Sequence, residues 1–216
     1  MTMLDAKDFN YNFYFFILED AFRRLLLSYE NILTTKKFVW KDISSKGENF
    51  IRNQVLSKAK EINRGQYVEY FFNKEHVSNI NTDNRIDITM SNQACLQYDD
   101  AGYSISIECK IMNNTDTKTT AYVTEGICRF ITNKYSDRLP IAGMMGFVIK
   151  DDIVTIVTTI NNKLDKKTTI QALTPTTCEV FETYYPYYYQ SAHKREDGNT
   201  PIDIYHVMLD FKPIII

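Results

Sequence analysis

Apolar residues recur at three- and four-residue steps through Phe15, Leu18, Phe22, Leu25 and Leu26, which predicts a first helix from Phe9 to about Leu33. Glu19, Asp20, Arg23 and Arg24 break its apolar run, and a membrane span needs about 20 mostly apolar residues. Farther on, Ser45-Lys46-Gly47-Glu48 matches the capping box that starts a helix, S/T-x-x-E. Ile51, Val55, Ala59 and Ile62 then share one face of a second helix, which Gly65 would close. The period next falls to two: Tyr67–Phe72, Arg85–Met90 and Ser104–Ile111 read as strands. A polar run from Asn113 to Thr120 leads into a third helix with Val123, Ile127, Phe130 and Ile131 on its apolar face. Gly126 inside that helix costs roughly 1 kcal/mol relative to alanine, so it points to a close backbone approach. Gly143–Ile149 and Ile153–Ile160 are expected to pair as a hairpin across Lys150-Asp151-Asp152. Ile170–Tyr185 is strand-rich, Ser191–Pro201 is a polar loop, and Ile202–Phe211 is a last strand. Helices, strands, a helix and strands again argue for an α/β or α+β domain with a central mixed sheet flanked by helices.

Composition narrows the class. A chain of 216 residues suits one domain, with residues 1–40 as an N-terminal helical extension, 45–150 as a core, and 151–216 as C-terminal strands with a basic and aromatic loop. With 25 Lys and Arg against 27 Asp and Glu the net charge is −2, which excludes a globally basic nucleic-acid binder but not a local basic groove. Asp5 and Asp8 precede the first apolar run, so no secretory signal is expected. Cys95, Cys109, Cys128 and Cys178 are too scattered for a zinc cluster or a disulfide framework, and a cytoplasmic protein with reduced thiols is expected. No phosphate-binding Gly-rich loop, nucleophile elbow or H-E-x-x-H motif is present.

One segment concentrates chemistry. Along Tyr103–Ile111, strand alternation sends Ile105, Ile107, Cys109 and Ile111 to one face, and Ser104, Ser106, Glu108 and Lys110 to the other. Asp87, between Ile86 and Ile88, also points away from apolar neighbours. A turn between the two strands would bring two carboxylates and an ammonium onto one patch. Asp87 and Glu108 suit a hard cation such as Mg²⁺ or Mn²⁺, and the backbone carbonyl of Cys109 is a further candidate ligand. Lys110 would orient a water or offset charge on a phosphorane-like transition state.

Asp87 and Glu108-Cys109-Lys110, in the spacing D-(x)20-E-x-K, resemble the signature of the PD-(D/E)xK, or restriction-endonuclease-like, nuclease superfamily. The predicted order of helix 48–62, strands near 86–90 and 104–111, helix 121–134 and strand 143–149 is similar to that superfamily's core. Tyr122–Phe130, Lys134-Tyr135 and Gly143-Met144-Met145-Gly146-Phe147 are similar to the segments C-terminal to the motif in small nuclease-like proteins of bacterial defence loci. Arg85 stands where the pattern often carries Pro, and no Q-x-x-x-Y comes after the motif, which sets the chain apart from the exonuclease branch. The resemblance implies a restriction-endonuclease-like fold and a Mg²⁺- or Mn²⁺-dependent nuclease with Asp87, Glu108 and Lys110 as its catalytic set. It implies DNA as substrate, RNA as the competing one, and a setting in restriction or antiphage defence. The partners it implies are a second copy of the chain or a complex with a separate NTPase or other defence subunit. A non-catalytic binding or assembly subunit of such a complex is the alternative.

Other residues carry two readings at this point. Glu48 is a supplementary metal ligand or, preferred on sequence, the capping-box acid. Arg129, Lys134, His193, Lys194 and Arg195 form a basic rim for phosphates or merely a solvated surface. The tyrosines from Tyr184 to Tyr189 are core, dimer patch or stacking surface, and the aromatic first helix is a candidate dimer face. His76 and His206 read as structural, and Cys109 as a buried apolar position. A balanced total charge then predicts a weak, salt-sensitive grip on a polyanion.

Overall fold

A computed structural model describes residues 6–64, 66, 70–77, 85–92, 104–135, 139–177, 185–196 and 201–216. Its secondary structure runs in the order α1 (Ala6–Thr35), α2 (Trp40–Asn63), β1 (Tyr70–Val77), β2 (Arg85–Asn92), β3 (Ile105–Met112), α3 (Asp116–Tyr122), a π-helical turn (Val123–Ile127), α4 (Cys128–Ile131), β4 (Ile141–Val148), α5 (Ile153–Lys163), β5 (Thr169–Pro175), β6 (Tyr188–His193) and β7 (Ile202–Asp210). The fold is α/β: a seven-stranded mixed sheet in the order β1-β2-β3-β4-β7-β6-β5, flanked by helices. β1, β2 and β3 form an antiparallel meander. β4 lies parallel to both β3 and β7, and β5, β6 and β7 are antiparallel again.

The core lies on both faces of the sheet. Tyr14, Leu18, Phe22 and Leu25 of α1, with Ile51, Val55 and Ala59 of α2, bury one face together with Ile88, Ile107 and Cys109. Tyr122, Ile127 and Phe130, with Ile156 and Ile160 of α5, bury the other against Met144, Ile204 and Met208. Helix α1 therefore contributes a layer of the core: Tyr14, Phe22 and Tyr29 are buried and Tyr11, Phe13 and Phe15 pack against them, while Phe16 is exposed. Two of its buried charges are paired: Arg24 bonds to Asp20 and also to Asn63 of α2, the latter at 2.8 Å. Among the described residues no helix is long and apolar enough to cross a membrane.

Three sequence expectations are corrected. Ile153–Ile160 is not the second strand of a hairpin; it lies in helix α5, with Ile153, Ile156, Val157 and Ile160 on the buried face. Asp152 caps it by accepting from the Thr155 N–H at 3.0 Å, a local bond that outweighs the strand preference of a β-branched run. Ser45 is not an N-cap: it sits within α2 and its hydroxyl donates to the Lys41 carbonyl at 2.7 Å. The helix instead begins at Trp40 and is kinked at Gly47, whose φ of 61° favours glycine. The polar loop expected from Ser191 begins later, because Ser191 to His193 belong to β6.

Gly126 answers its expectation of close approach. It lies in the π-helical turn, and a Cβ there would collide with the Met144 side chain on β4.

Candidate active site

The pairing of β2 with β3 runs from Met90↔Ile105 to Ile88↔Ile107 and, among the described residues, stops there. β2 stays with β1 as far as Arg85, so β2 and β3 part where Asp87 would face Glu108. The parting leaves backbone N–H groups on the β3 edge without strand partners, and carboxylates take them. Asp87 Oδ2 accepts from the Cys109 N–H at 2.9 Å, and Glu48 Oε2 accepts from the Ile111 N–H at 3.1 Å. The Cys109 carbonyl leaves the same edge, since a strand residue's N–H and C=O point the same way.

Glu48 thus reaches the site, not the helix terminus that the capping box implied. It owes this to the Gly47 kink immediately before it. Arg52, one turn further along α2, lies on the same side of the helix and pairs with Asp87 Oδ1 through Nη1. Arg52 is 1% exposed, an almost fully buried cation.

Glu108 is 1% exposed. Its Oε1 accepts from Lys110 Nζ at 2.6 Å and from Arg129 Nη1 at 3.0 Å. Its Oε2 is buried and, among the described residues, has no hydrogen-bond partner. Burial, together with the charge of Asp87, pushes the Glu108 carboxyl up to about 8 despite those two cations. Burial likewise raises Glu48, against the pull of Lys110. For Lys110, burial acts downward, but Glu108 and Glu48 outweigh it and hold the ammonium above its ordinary value. Lys110 Nζ also stands 3.9 Å from Glu48 Oε1.

Arg129 comes from α4, just beyond the π-helical turn, a feature frequent at functional sites. Its Nη1 also donates to the Tyr135 hydroxyl at 2.7 Å, and its guanidinium lies over the Tyr135 ring, 5.5 Å from the centroid. The Arg129 side chain keeps 33% of its surface exposed, the largest share among these cations.

The structure therefore brings together Asp87, Glu108, Lys110, Glu48 and Arg129 from the sequence candidates, and adds Arg52, which sequence reasoning missed. The available signal was its place four residues after Glu48, next to the core stripe Ile51, Val55 and Ala59.

The remaining basic candidates do not converge here as one exposed rim. His193 is fully buried, and Arg195 is buried with its guanidinium on the carbonyls of Phe130 and Leu139 and on Asn133. Lys134 and Lys194 are exposed. Cys109 is buried, and burial, then Asp87, drives its thiol well up, which suits an inert core position.

The donor set can be tested for a metal. Among the described residues no three His, Cys, Asp or Glu side chains form a metal-holding group. Mg²⁺ commonly uses only one or two carboxylates and keeps several waters. Asp87, Glu108 with its bare Oε2, and the Cys109 carbonyl fit that need, with Glu48 close by on the same strand edge. Comparison with known proteins finds no matching family model, curated protein or solved structure.

Proposed function

We propose that this chain is a Mg²⁺- or Mn²⁺-dependent nuclease with a restriction-endonuclease-like core, hydrolysing phosphodiester bonds of DNA. The observation that carries the reading is Glu108 Oε2: a buried carboxyl oxygen without a hydrogen-bond partner among the described residues, in a cluster with Asp87, Lys110 and Glu48 at parted strands. A buried acceptor left unmatched is costly, and a hard cation is the partner its chemistry suits. The order α2, β2, β3, α3–α4, β4 is also the order the sequence resemblance implies.

Asp87, Glu108 and the Cys109 carbonyl would hold the ion. When bound, such an ion polarises a phosphoryl oxygen and acidifies water. Lys110 Nζ, fixed by Glu108, is positioned to orient a water and to balance charge on the phosphoryl group. Arg129, partly exposed and steadied by Tyr135, faces outward as the group for a non-bridging phosphate oxygen. A defence setting and a partner subunit belong to the same proposal.

The deciding experiment incubates the protein with plasmid, single-stranded DNA and tRNA in Mg²⁺ or Mn²⁺, with Lys110→Ala beside it. Metal-dependent DNA cleavage that the variant loses is expected; cleavage retained by Lys110→Ala would sink the assignment, and preference for tRNA would move the substrate to RNA.

One observation favours a second reading. Asp87, Glu108 and Glu48 already have Arg52, Lys110 and Arg129 around them, so the cluster also works as a closed ion-pair network in a non-catalytic subunit. Absence of any Mn²⁺-induced rise in melting temperature, together with absence of cleavage, would favour it.

A further inference from the structure

We infer that Arg52 is the resident competitor of the metal: its guanidinium sits on Asp87 where a divalent cation must bind, and keeps cation affinity low in the free protein. This rests on the metal-dependent reading above and adds to it how the same site is regulated.

Asp87 offers two oxygens. Oδ2 is engaged by a backbone N–H, a neutral donor that coexists with a metal on the same carboxylate. Oδ1 is engaged by a full positive charge. Two cations on one carboxylate repel each other at close range, most strongly away from water, and Arg52 is buried. The wider cluster gives no relief. Among the described residues Arg52 pairs with Asp87, Lys110 and Arg129 both pair with Glu108, and Lys110 Nζ stands 3.9 Å from Glu48 Oε1, so each carboxylate already has a cation beside it.

The three cations are not equivalent. Lys110 and Arg129 both bond to Glu108 Oε1 and leave Oε2 bare, so neither obstructs that ligand. Arg52 stands on the other carboxylate. It projects from the same side of α2 as Glu48, one turn further along and beyond the Gly47 kink. Cation binding and the release of Arg52 from Asp87 are then one event, and the negative charge of a substrate phosphate assists it.

The test measures Mn²⁺ binding directly, by the electron paramagnetic resonance signal of free Mn²⁺, on the full chain as wild type, Arg52→Gln, Arg52→Lys and Glu108→Gln. Arg52→Gln is expected to bind at least about tenfold tighter than wild type and Arg52→Lys, which keeps the charge, to stay within about threefold of it. Equal or weaker binding by Arg52→Gln, with Glu108→Gln abolishing the wild-type signal change, overturns the role of Arg52 and leaves the metal site standing. No Mn²⁺ bound by wild type or Arg52→Gln at millimolar concentration overturns the metal-dependent reading and this inference with it. Should Arg52→Gln not fold, ¹⁵N spectra of arginine Nε–H groups in the wild type decide. The Arg52 resonance, identified by its loss in Arg52→Lys, should shift as Mg²⁺ saturates the site; an unmoved resonance overturns the inference.

Discussion

Two buried polar clusters share the sheet, and they are built on opposite plans. At the parted strands β2 and β3, Asp87, Glu108, Glu48, Lys110, Arg52 and Arg129 are charged groups held by ion pairs. Under the face covered by α3 and α5, Tyr122, His206, Ser191 and His193 form a chain of neutral groups. The Tyr122 hydroxyl meets His206 Nδ1 at 2.9 Å, and Ser191 Oγ meets both His206 Nε2 and His193 Nε2 at 2.8 Å. Among the described residues each cluster holds a buried atom with no hydrogen-bond partner, such as Glu108 Oε2 in one and His193 Nδ1 in the other. The difference lies in what that atom is. A neutral ring nitrogen costs a fraction of what a carboxylate oxygen costs in the same surroundings. The histidine chain therefore reads as packing that specifies the sheet, and the charged cluster as the place where the proposed cation would find a use.

The two clusters should differ most sharply in activity. Asp87→Ala and Glu108→Gln are each expected to reduce metal-dependent DNA cleavage by roughly 10³-fold or more, since each removes one of the few ligands proposed for the ion. His206→Ala should leave cleavage by the folded protein unchanged, so equal losses in a single-turnover assay would erase the distinction.

On stability the ranking reverses. Ser191→Ala strands two buried imidazole nitrogens and is expected to lower unfolding stability by about 1–3 kcal/mol in urea titrations. Glu108→Gln, which removes a buried charge, should leave stability at pH 8 equal or higher.

The pH dependence has opposite sign in the two regions. Burial lowers His193 from 6.5 to about 4 and drives His206 well down, so the unfolded chain binds more protons in that window. Stability from the histidines is therefore complete above 6.5 and is lost as pH falls towards 4. Glu108 is raised from 4.5 to about 8, so here the folded state binds more protons; stability from this group is complete below 4.5 and is lost as pH rises to 8. Melting temperatures between pH 4 and 9 should show both limbs, with Glu108→Gln flattening only the alkaline one. An alkaline limb that persists in Glu108→Gln would assign the effect elsewhere.

The smallest effect concerns the helix that serves the acidic cluster. A Cβ at Gly47 would touch nothing within 4 Å, so Gly47→Ala tests conformation alone; its φ of 61° should cost about 1 kcal/mol. Because Glu48 is the next residue, this variant should also weaken Mn²⁺ binding. Gly126→Ala, whose Cβ would instead displace the end of the Met144 side chain, should leave Mn²⁺ binding unchanged.

How far the sequence was legible varies by element. The two-residue period of β3 announced that Glu108 and Lys110 share a face, because alternation is a property of any strand. Helix α5 was misread because Ile153, Val154, Val157 and Ile160 look like a strand by composition. The apolar positions 153, 156, 157 and 160 and the cap at Asp152 were the better signal. Glu48 had a sound local explanation as a capping acid, and only the approach of α2 to the β3 edge replaced it. Arg195 and His193 looked like surface because they sit in a polar stretch, yet both are held inside the fold by partners far off in sequence or on the same sheet.

Alternation along β3, the apolar stripes of α1 and α2, and the placing of Asp87 and Glu108 on strands that can be neighbours are all legible in the order of residues. Those are local properties, set by backbone geometry and side-chain polarity over a few residues. Only the tertiary structure decided that β2 and β3 part at the two carboxylates, that Arg52 rests on Asp87, and that Arg129 and Lys110 crowd one oxygen of Glu108 and leave the other bare. Each of these depends on burial and on charges from elements far apart along the chain, as with Glu48 and Ile111 at a separation of 63 residues. No local period encodes such a distance.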